Sequence, residues 1–289
     1  MVWMLMLWGL YSCELPIADE TDRMYSDTLR VGTYNVRIAS STDDIHQSWG
    51  FRRNYVALQV YTHAFDVFGI QEFLDEKQEQ ELKRLLPDYA FYSKGNGNVE
   101  GTFGQRIAVA YDKNRFEPLD SGYFFLADPP ELPAVSWDAK CVHLCLWLKL
   151  YDRHTRKPFY FINTHLSWCG KEARKYGVQL ILDRIRQFPQ DLPIILGGDL
   201  NAPPTETETY TPLTEDLFDS RQVSETQPRG YEGTFNNWEI TPWNFTEARR
   251  IDYLFVRKVQ VIGYQVLSEQ FVEDCWPSDH FPILLSVLL

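Results

Sequence analysis

Residues 194–201 read IILGGDLN: three apolar residues, two glycines, then Asp199 and Asn201 one residue apart. With Pro193 before it, the apolar run has the length of a buried strand, and the polar residues mark where the chain leaves the core. The same pattern recurs on both sides. VFGIQE (67–72) ends on Glu72, TYN (33–35) on Asn35 and FINTH (161–165) on His165; Asp252 sits in RRIDYLF, and Ser278-Asp279-His280 precedes a last apolar run at 282–288. An Asn or Asp at a strand end is usually a turn former, and a lone His is more often a packing residue than a catalyst. Six such endings in one chain place polar groups of catalytic type around a single cleft.

Between these endings, apolar runs expected as strands alternate with amphipathic helices. Strands are expected at 29–38, 67–72, 89–93, 107–111, 122–126, 142–151, 159–163, 193–196, 251–256, 259–267 and 282–288. Helices are expected at about 51–63, where Phe51, Tyr55, Leu58 and Phe65 would form the buried face; at 75–86, stopped by Pro87; and at 171–188, with Ala173, Tyr176, Leu180 and Ile185 as the stripe. The stretch 201–250 reads as loop. Mixed strands with a few covering helices indicate an α/β domain of packed sheets, since a doubly wound parallel sheet would alternate more strictly.

Composition narrows the function. In 289 residues there are 28 Lys+Arg against 40 Asp+Glu, a net charge of −12, and 44% hydrophobic residues. Disorder and low-complexity architectures are excluded, and the basic footprint needed to coat duplex nucleic acid is absent. Residues 1–12, MVWMLMLWGLYS, carry no charge and are followed by Cys13 and then by Glu14, Asp19, Glu20 and Asp22. That reads as the h-region of an export signal, too short to span a membrane, in preference to a buried N-terminal strand or helix, and Leu10-Tyr11-Ser12-Cys13 resembles a bacterial lipoprotein cleavage box. The expected division is an export segment at 1–13, a polar tether at 14–28 and one domain at 29–289, in an exported, envelope-anchored, monomeric protein. Cys141, Cys145, Cys169 and Cys275 form no CxxC pair and read as buried thiols, with pairing open to an exported protein.

The ordered set TYNVR, GIQE, NTHL, GGDLN, RIDYLFV and SDHFP resembles the endonuclease/exonuclease/phosphatase superfamily, the DNase I-like phosphoesterases, over residues 29–289. AVAYDKNRF (108–116), Trp49 with Arg52, and Glu172-Ala173-Arg174 add to the likeness, which is nearest to an exported bacterial branch akin to nocturnin and the deadenylases. The resemblance implies a four-layer sandwich, two mixed β-sheets face to face with helices outside. It implies a phosphodiester or phosphomonoester hydrolase in which Asn35, Glu72 and Asp279 hold Mg²⁺ or Mn²⁺. In that scheme Asp199 orients and deprotonates the water, Asn201 and His165 hydrogen-bond the phosphoryl oxygens, and Asp252 fixes and stabilises the imidazolium of His280. Asp199 and the His280–Asp252 pair both remain open as the base. Three positions depart from the family pattern: Ser167-Trp168 after NTHL, His143 where an Arg is common, and Gln105-Arg106 before the VAY strand.

The substrates open to such a site are a nucleotide, a short single strand, or a sugar or lipid phosphate; strong duplex DNA binding is not expected. Arg37, Arg52, Arg106 and Arg174 could line the cleft, and Trp238, Trp243 and Trp276 could touch substrate. A calcineurin-type dinuclear site would need a GNHD or GNHE element that the chain lacks. The alternative of another class is a catalytically weakened exported binding module, with nine Trp and sixteen Tyr as stacking platforms.

Overall fold

The computed structural model describes residues 26–97 and 105–289. The expected export segment, Cys13 and all of the tether before residue 26 lie outside the described residues. One sheet holds β1 (Leu29–Asn35), β2 (Val67–Phe73), β3 (Tyr89–Gly95), β4 (Arg106–Asp112), β11 (Gln260–Val266) and β12 (Ile283–Leu288), in the order β11-β12-β1-β2-β4-β3. The other holds β5 (Phe116–Phe125), β6 (Leu144–Asp152), β7 (Lys157–His165), β8 (Ile194–Asp199), β9 (Phe218–Asp219) and β10 (Asp252–Arg257), in the order β5-β6-β7-β8-β10-β9. Each sheet is antiparallel except for one parallel pair at its centre, β1 with β2 and β7 with β8.

The two sheets meet across one apolar layer, where Val31, Val67, Val109 and Leu285 of the first face Leu146, Phe161, Ile195 and Leu254 of the second. Outside the first sheet lie α1 (Trp49–Thr62) and α2 (Glu76–Leu85); outside the second lie α3 (Lys171–Gln187) and α4 (Thr207–Asp216). Two mixed sheets between two helical layers make the DNase I-like sandwich that the motif order implied. Every apolar side chain buried in these layers contributes roughly 1.5–3 kcal/mol relative to exposure.

Three expectations change. On α1 the buried face is Trp49, Arg52, Val56, Gln59 and Val60, while Phe51 and Tyr55 lie on its flank, in ring contact with His46 and Phe271. An arginine took the inward position because it has backbone carbonyls to satisfy there. On α3 the stripe is turned by about one residue: Val178, Ile181, Leu182 and Ile185 are buried and Tyr176 is 40% exposed. Within 201–250, α4 forms despite Pro212 in its interior. Its TETYTPLTED sequence shows no apolar period; Leu213 in the core and Tyr210 Oη donating to Asp219 (2.6 Å) hold it in place.

Candidate active site

The C-terminal ends of the parallel strands of both sheets point to the same edge of the sandwich. β1 and β2 deliver Asn35 and Glu72; β7 and β8 deliver His165 and Asp199, which are direct register partners. The antiparallel neighbour β10 starts at Asp252, opposite Asp199, and the segment entering β12 brings Asp279 and His280. All eight residues expected from the sequence therefore lie around one centre.

Hydrogen bonds knit the centre. Asn35 Nδ2 donates to Glu72 Oε1 and to Asp199 Oδ2, both at 2.9 Å, and lies 3.5 Å from His280 Nε2. Asn201 donates its backbone N–H to Asp199 Oδ1 (2.8 Å), and its side-chain amide lies 3.0 Å from His165 Nε2. His165 Nε2 is 3.5 Å from Asp199 Oδ2 and 3.8 Å from Glu72 Oε1. His280 Nδ1 is bonded to Asp252 Oδ2 at 2.8 Å, leaving Nε2 to face Asp199 at 3.9 Å. Asp279 Oδ2 is 3.6 Å from Arg37 Nη1.

Backbone strain concentrates here. Glu72 (φ 66°), Arg37 (φ 60°) and Asn201 (φ 51°) adopt left-handed conformations that cost a side-chain-bearing residue energy and that surrounding structure must impose. At Glu72 the imposing feature is a bulge in the β2–β4 pairing between Ile70 and Phe73. Asn163 of β7, in the opposite sheet, reaches across and donates to the carbonyls of Ile70 (3.0 Å) and Ala108 (2.8 Å), the last regular pair before the bulge. Gln71 Nε2 donates back to Asn163 Oδ1 (2.6 Å) and to Thr33. Gly69 is required for this crossing, since a Cβ there would sit 2.5 Å from Asn163 Oδ1. Sequence reading missed Asn163 and Gln71 because their signal, one amide inside each of two apolar strands, is not tied to a strand end.

Charge is unbalanced at the centre. Burial raises the Asp199 carboxyl, and Asp252 adds to the rise. Burial also raises Asp279 despite nearby His280. Burial alone would lower the His280 imidazole, but Asp252 outweighs it and lifts the group well above its ordinary range. Burial opposes ionisation of Glu72, yet His165, His280 and the Asn35 amide hold it below the usual carboxylate range. Glu72, Asp199 and His280 each offer a ligand atom, and those atoms lie within 4.8 Å of one another. This oxygen-rich donor set, with crowded buried carboxylates, fits a hard divalent cation. Asn35 turns its amide nitrogen toward the carboxylates, and Asp279 leans to Arg37, so of the three expected ligands Glu72 is the one inside this converging triad.

The flanking residues behave differently from the sequence expectation. His143 is buried and donates Nδ1–H to the His165 carbonyl (2.9 Å); burial, with His165 beside it, pushes it down to about 3. It is a neutral support for β7 and carries no charge to phosphate. Arg174 is spanned by Glu206 (2.6 and 2.7 Å), Arg106 pairs with Glu79, and Arg52 donates to the carbonyls of Val36 and Pro277. Arg37, with a buried Nε that has no hydrogen-bond partner, is the cation of the four that faces the centre.

Residues 32–280 match the Endonuclease/Exonuclease/phosphatase family. The chain belongs to this family. Among solved structures, the mannosyl-6-phosphatase of Bacteroides thetaiotaomicron is 31% identical with a TM-score of 0.81, the match covering 90% of this chain and 100% of that one. The catalytic domain of human nocturnin, solved with a bound sulfate anion, superposes with a TM-score of 0.66 at 21% identity, covering 90% of this chain and 93% of that domain, a likeness of fold. An uncharacterized protein of Acanthamoeba polyphaga mimivirus is 22% identical over 195 residues, 58% of this chain; the chain spans 28% of the length of that curated relative.

Proposed function

We propose that this family member is a divalent-metal-dependent phosphoester hydrolase acting on a small phosphoester by in-line attack of water. The convergence of Glu72, Asp199 and His280 ligand atoms within 4.8 Å, with Asp252 clamping His280, carries this reading. Glu72, with Asp279 near by, would hold Mg²⁺ or Mn²⁺, which when bound supplies positive charge to the phosphoryl oxygens.

The remaining work falls to the chain. Asp199 Oδ1 accepts the Asn201 N–H and Oδ2 the Asn35 amide, and Oδ2, which faces the centre, keeps a second lone pair to orient a water and accept its proton as the water oxygen bonds to phosphorus. The buried Asp252 carboxylate on Nδ1 favours the imidazolium form of His280, which makes His280 a donor and leaves Asp199 as the base. His165 and the Asn201 amide donate to the oxygens that gain charge, and Arg37 steadies the phosphate. The ester oxygen leaves as the P–O bond breaks and is protonated by an imidazolium or by solvent.

Two observations favour a small substrate. Among the described residues Arg106 and Arg174 are taken up by Glu79 and Glu206 and Arg52 by backbone carbonyls, which leaves Arg37 without a train of such cations beside it, and long nucleic acid takes most of its affinity from contacts of that kind. The mannosyl-6-phosphatase relative, at 31% identity, points to a phosphomonoester of a sugar. A weakened binding module would have no need for His165, Asp199 and the Asp252–His280 pair to converge, and that convergence supports the hydrolase reading. The same reading includes export on the segment at 1–13, anchoring at Cys13 and a monomeric single domain from residue 29. Hydrolysis of p-nitrophenyl phosphate and its bis ester should be abolished by EDTA, restored by Mg²⁺ or Mn²⁺, and lost in Glu72→Gln. Turnover indifferent to both EDTA and that substitution would sink the proposal.

A further inference from the structure

Beside the catalytic centre lies a groove of about 340 Å³ walled by Asp44, His46, Trp238, Glu273, Asp274 and Trp276. Its three wall segments each run into the site. The loop after β1 carries Asp43 and Asp44, and Arg37 links it to the centre, with Nη2 3.4 Å from Asp43 and Nη1 3.6 Å from Asp279. The Trp238 loop is fixed by the N–H groups of Asn236 and Asn237, which donate to the Asp279 carbonyl (2.8 and 3.1 Å). The third segment, 273–278, leads straight to Asp279 and His280. Arg52 ties the segments together, donating to the carbonyls of Val36 (2.7 Å) and Pro277 (2.9 Å) and lying 5.3 Å from the Trp238 ring centre.

The walls have a consistent chemistry. Trp276 is fixed by its indole N–H donating to the Glu239 carbonyl (2.8 Å). Trp238 is half-buried in the wall and has a left-handed backbone (φ 63°), as have its neighbour Asn237 (φ 51°) and Asp274 (φ 57°). Glu273 and Asp274 are exposed carboxylates, and no Lys or Arg is among the lining residues. The acidic wall repels a second phosphate and offers acceptors to hydroxyls, and Trp238, half-buried where Trp276 belongs to the core, offers the open part of its ring to C–H groups. Resting on the phosphoesterase reading above, we propose that this groove holds the leaving-group side of the substrate and that this leaving group is uncharged and polyhydroxylated, a carbohydrate, with the acidic wall excluding oligonucleotides.

The experiment measures phosphate release with Mg²⁺ from mannose 6-phosphate, from ethyl phosphate, which has no ring to fill the groove, and from a 5′-phosphorylated oligothymidine. Wild type should prefer the sugar phosphate by kcat/KM. Trp238→Ala should lower the ratio of sugar phosphate to ethyl phosphate kcat/KM by about tenfold, a loss of stacking on the order of 1.4 kcal/mol; damage to folding would lower both and leave the ratio intact. The double substitution Glu273→Gln, Asp274→Asn, on exposed side chains, should lower the same ratio and raise oligonucleotide turnover over wild type. An unchanged ratio in both variants, or a wild type that prefers the oligonucleotide or ethyl phosphate, overturns the groove assignment while leaving the hydrolase reading standing. A wild type that releases phosphate from none of the three overturns the groove assignment, and the p-nitrophenyl esters above decide the hydrolase reading separately.

Discussion

The two sheets bring their groups to the centre from the same place, the ends of a central parallel pair, but they get them there differently. The β7–β8 half is self-supporting. His165 is the last residue of a regular strand, with its carbonyl held by His143; Asp199 is its register partner, and the left-handed turn is passed on to Asn201, which donates to Asp199 and to the Leu166 carbonyl. In the β1–β2 half the acid itself is the left-handed residue: Glu72 is aimed by a bulge that depends on Asn163 from the other sheet. A side chain placed by a regular strand end needs local partners, whereas one placed by a deformed strand needs a support from outside its own sheet.

The largest effect should come from the self-supporting half, because the proton-accepting oxygen is there. Asp199→Asn keeps the shape and removes the base, and kcat should fall by roughly 10³–10⁴, as followed by phosphate release at saturating substrate. A loss below tenfold would move the base elsewhere. Next, Asn163→Ala should break the support of the other half. It takes the Asn163 amide from the carbonyls of Ile70 and Ala108 and leaves the Gln71 amide with Thr33 alone, at a cost of about 3 kcal/mol in urea unfolding. It should also raise the Mg²⁺ concentration giving half-maximal rate, because Glu72 loses its aim. An equal stability loss with unchanged metal dependence would show that the crossing only holds the sheets together.

Much of the centre was legible in the residues and some of it was not. Asn35, Glu72, His165 and Asp199 end apolar runs, and a polar group at such a position has few places to go except a cleft, so the list of site residues could be written from the sequence. Asn163 and Gln71 lie inside the same runs, where an amide reads as a weak interruption of a strand. Arg52 and Arg174 were legible as cations near the site but not as buried structural groups, because their partners, the Val36 and Pro277 carbonyls and Glu206, are distant in sequence. α4 was lost because tertiary packing at Leu213 overrides a poor helical sequence.

The support of His165 gives a smaller, pH-dependent prediction. His143 is neutral in the fold at about 3 and ordinary when unfolded, so between about 6.5 and 3 the unfolded chain binds the extra proton. Stability is therefore lost as pH falls through that window. His143→Asn, which keeps a donor and cannot ionise, should lose about 2 kcal/mol less than wild type between pH 7 and 4.5. Parallel urea curves for the two proteins across this range would refute it. Smallest of all, Trp243, 80% exposed on a short turn and outside both halves, should tolerate Ser within ~0.5 kcal/mol, as checked by the same unfolding curves.

The Asn163 crossing also fixes the phase of the sandwich. Apolar layers packed face to face attract without direction, so one sheet could slide along the other by an ångström at little cost. Glu72 and Asp199 belong to different sheets, and a slide of that size would pull the metal-holding carboxylate away from the one that takes the proton. Hydrogen bonds from Asn163 to two carbonyls and from Gln71 are directional, and they act as a key that permits a single alignment. The distance across the catalytic centre is thus set inside the apolar layer, by a side chain that never meets the substrate.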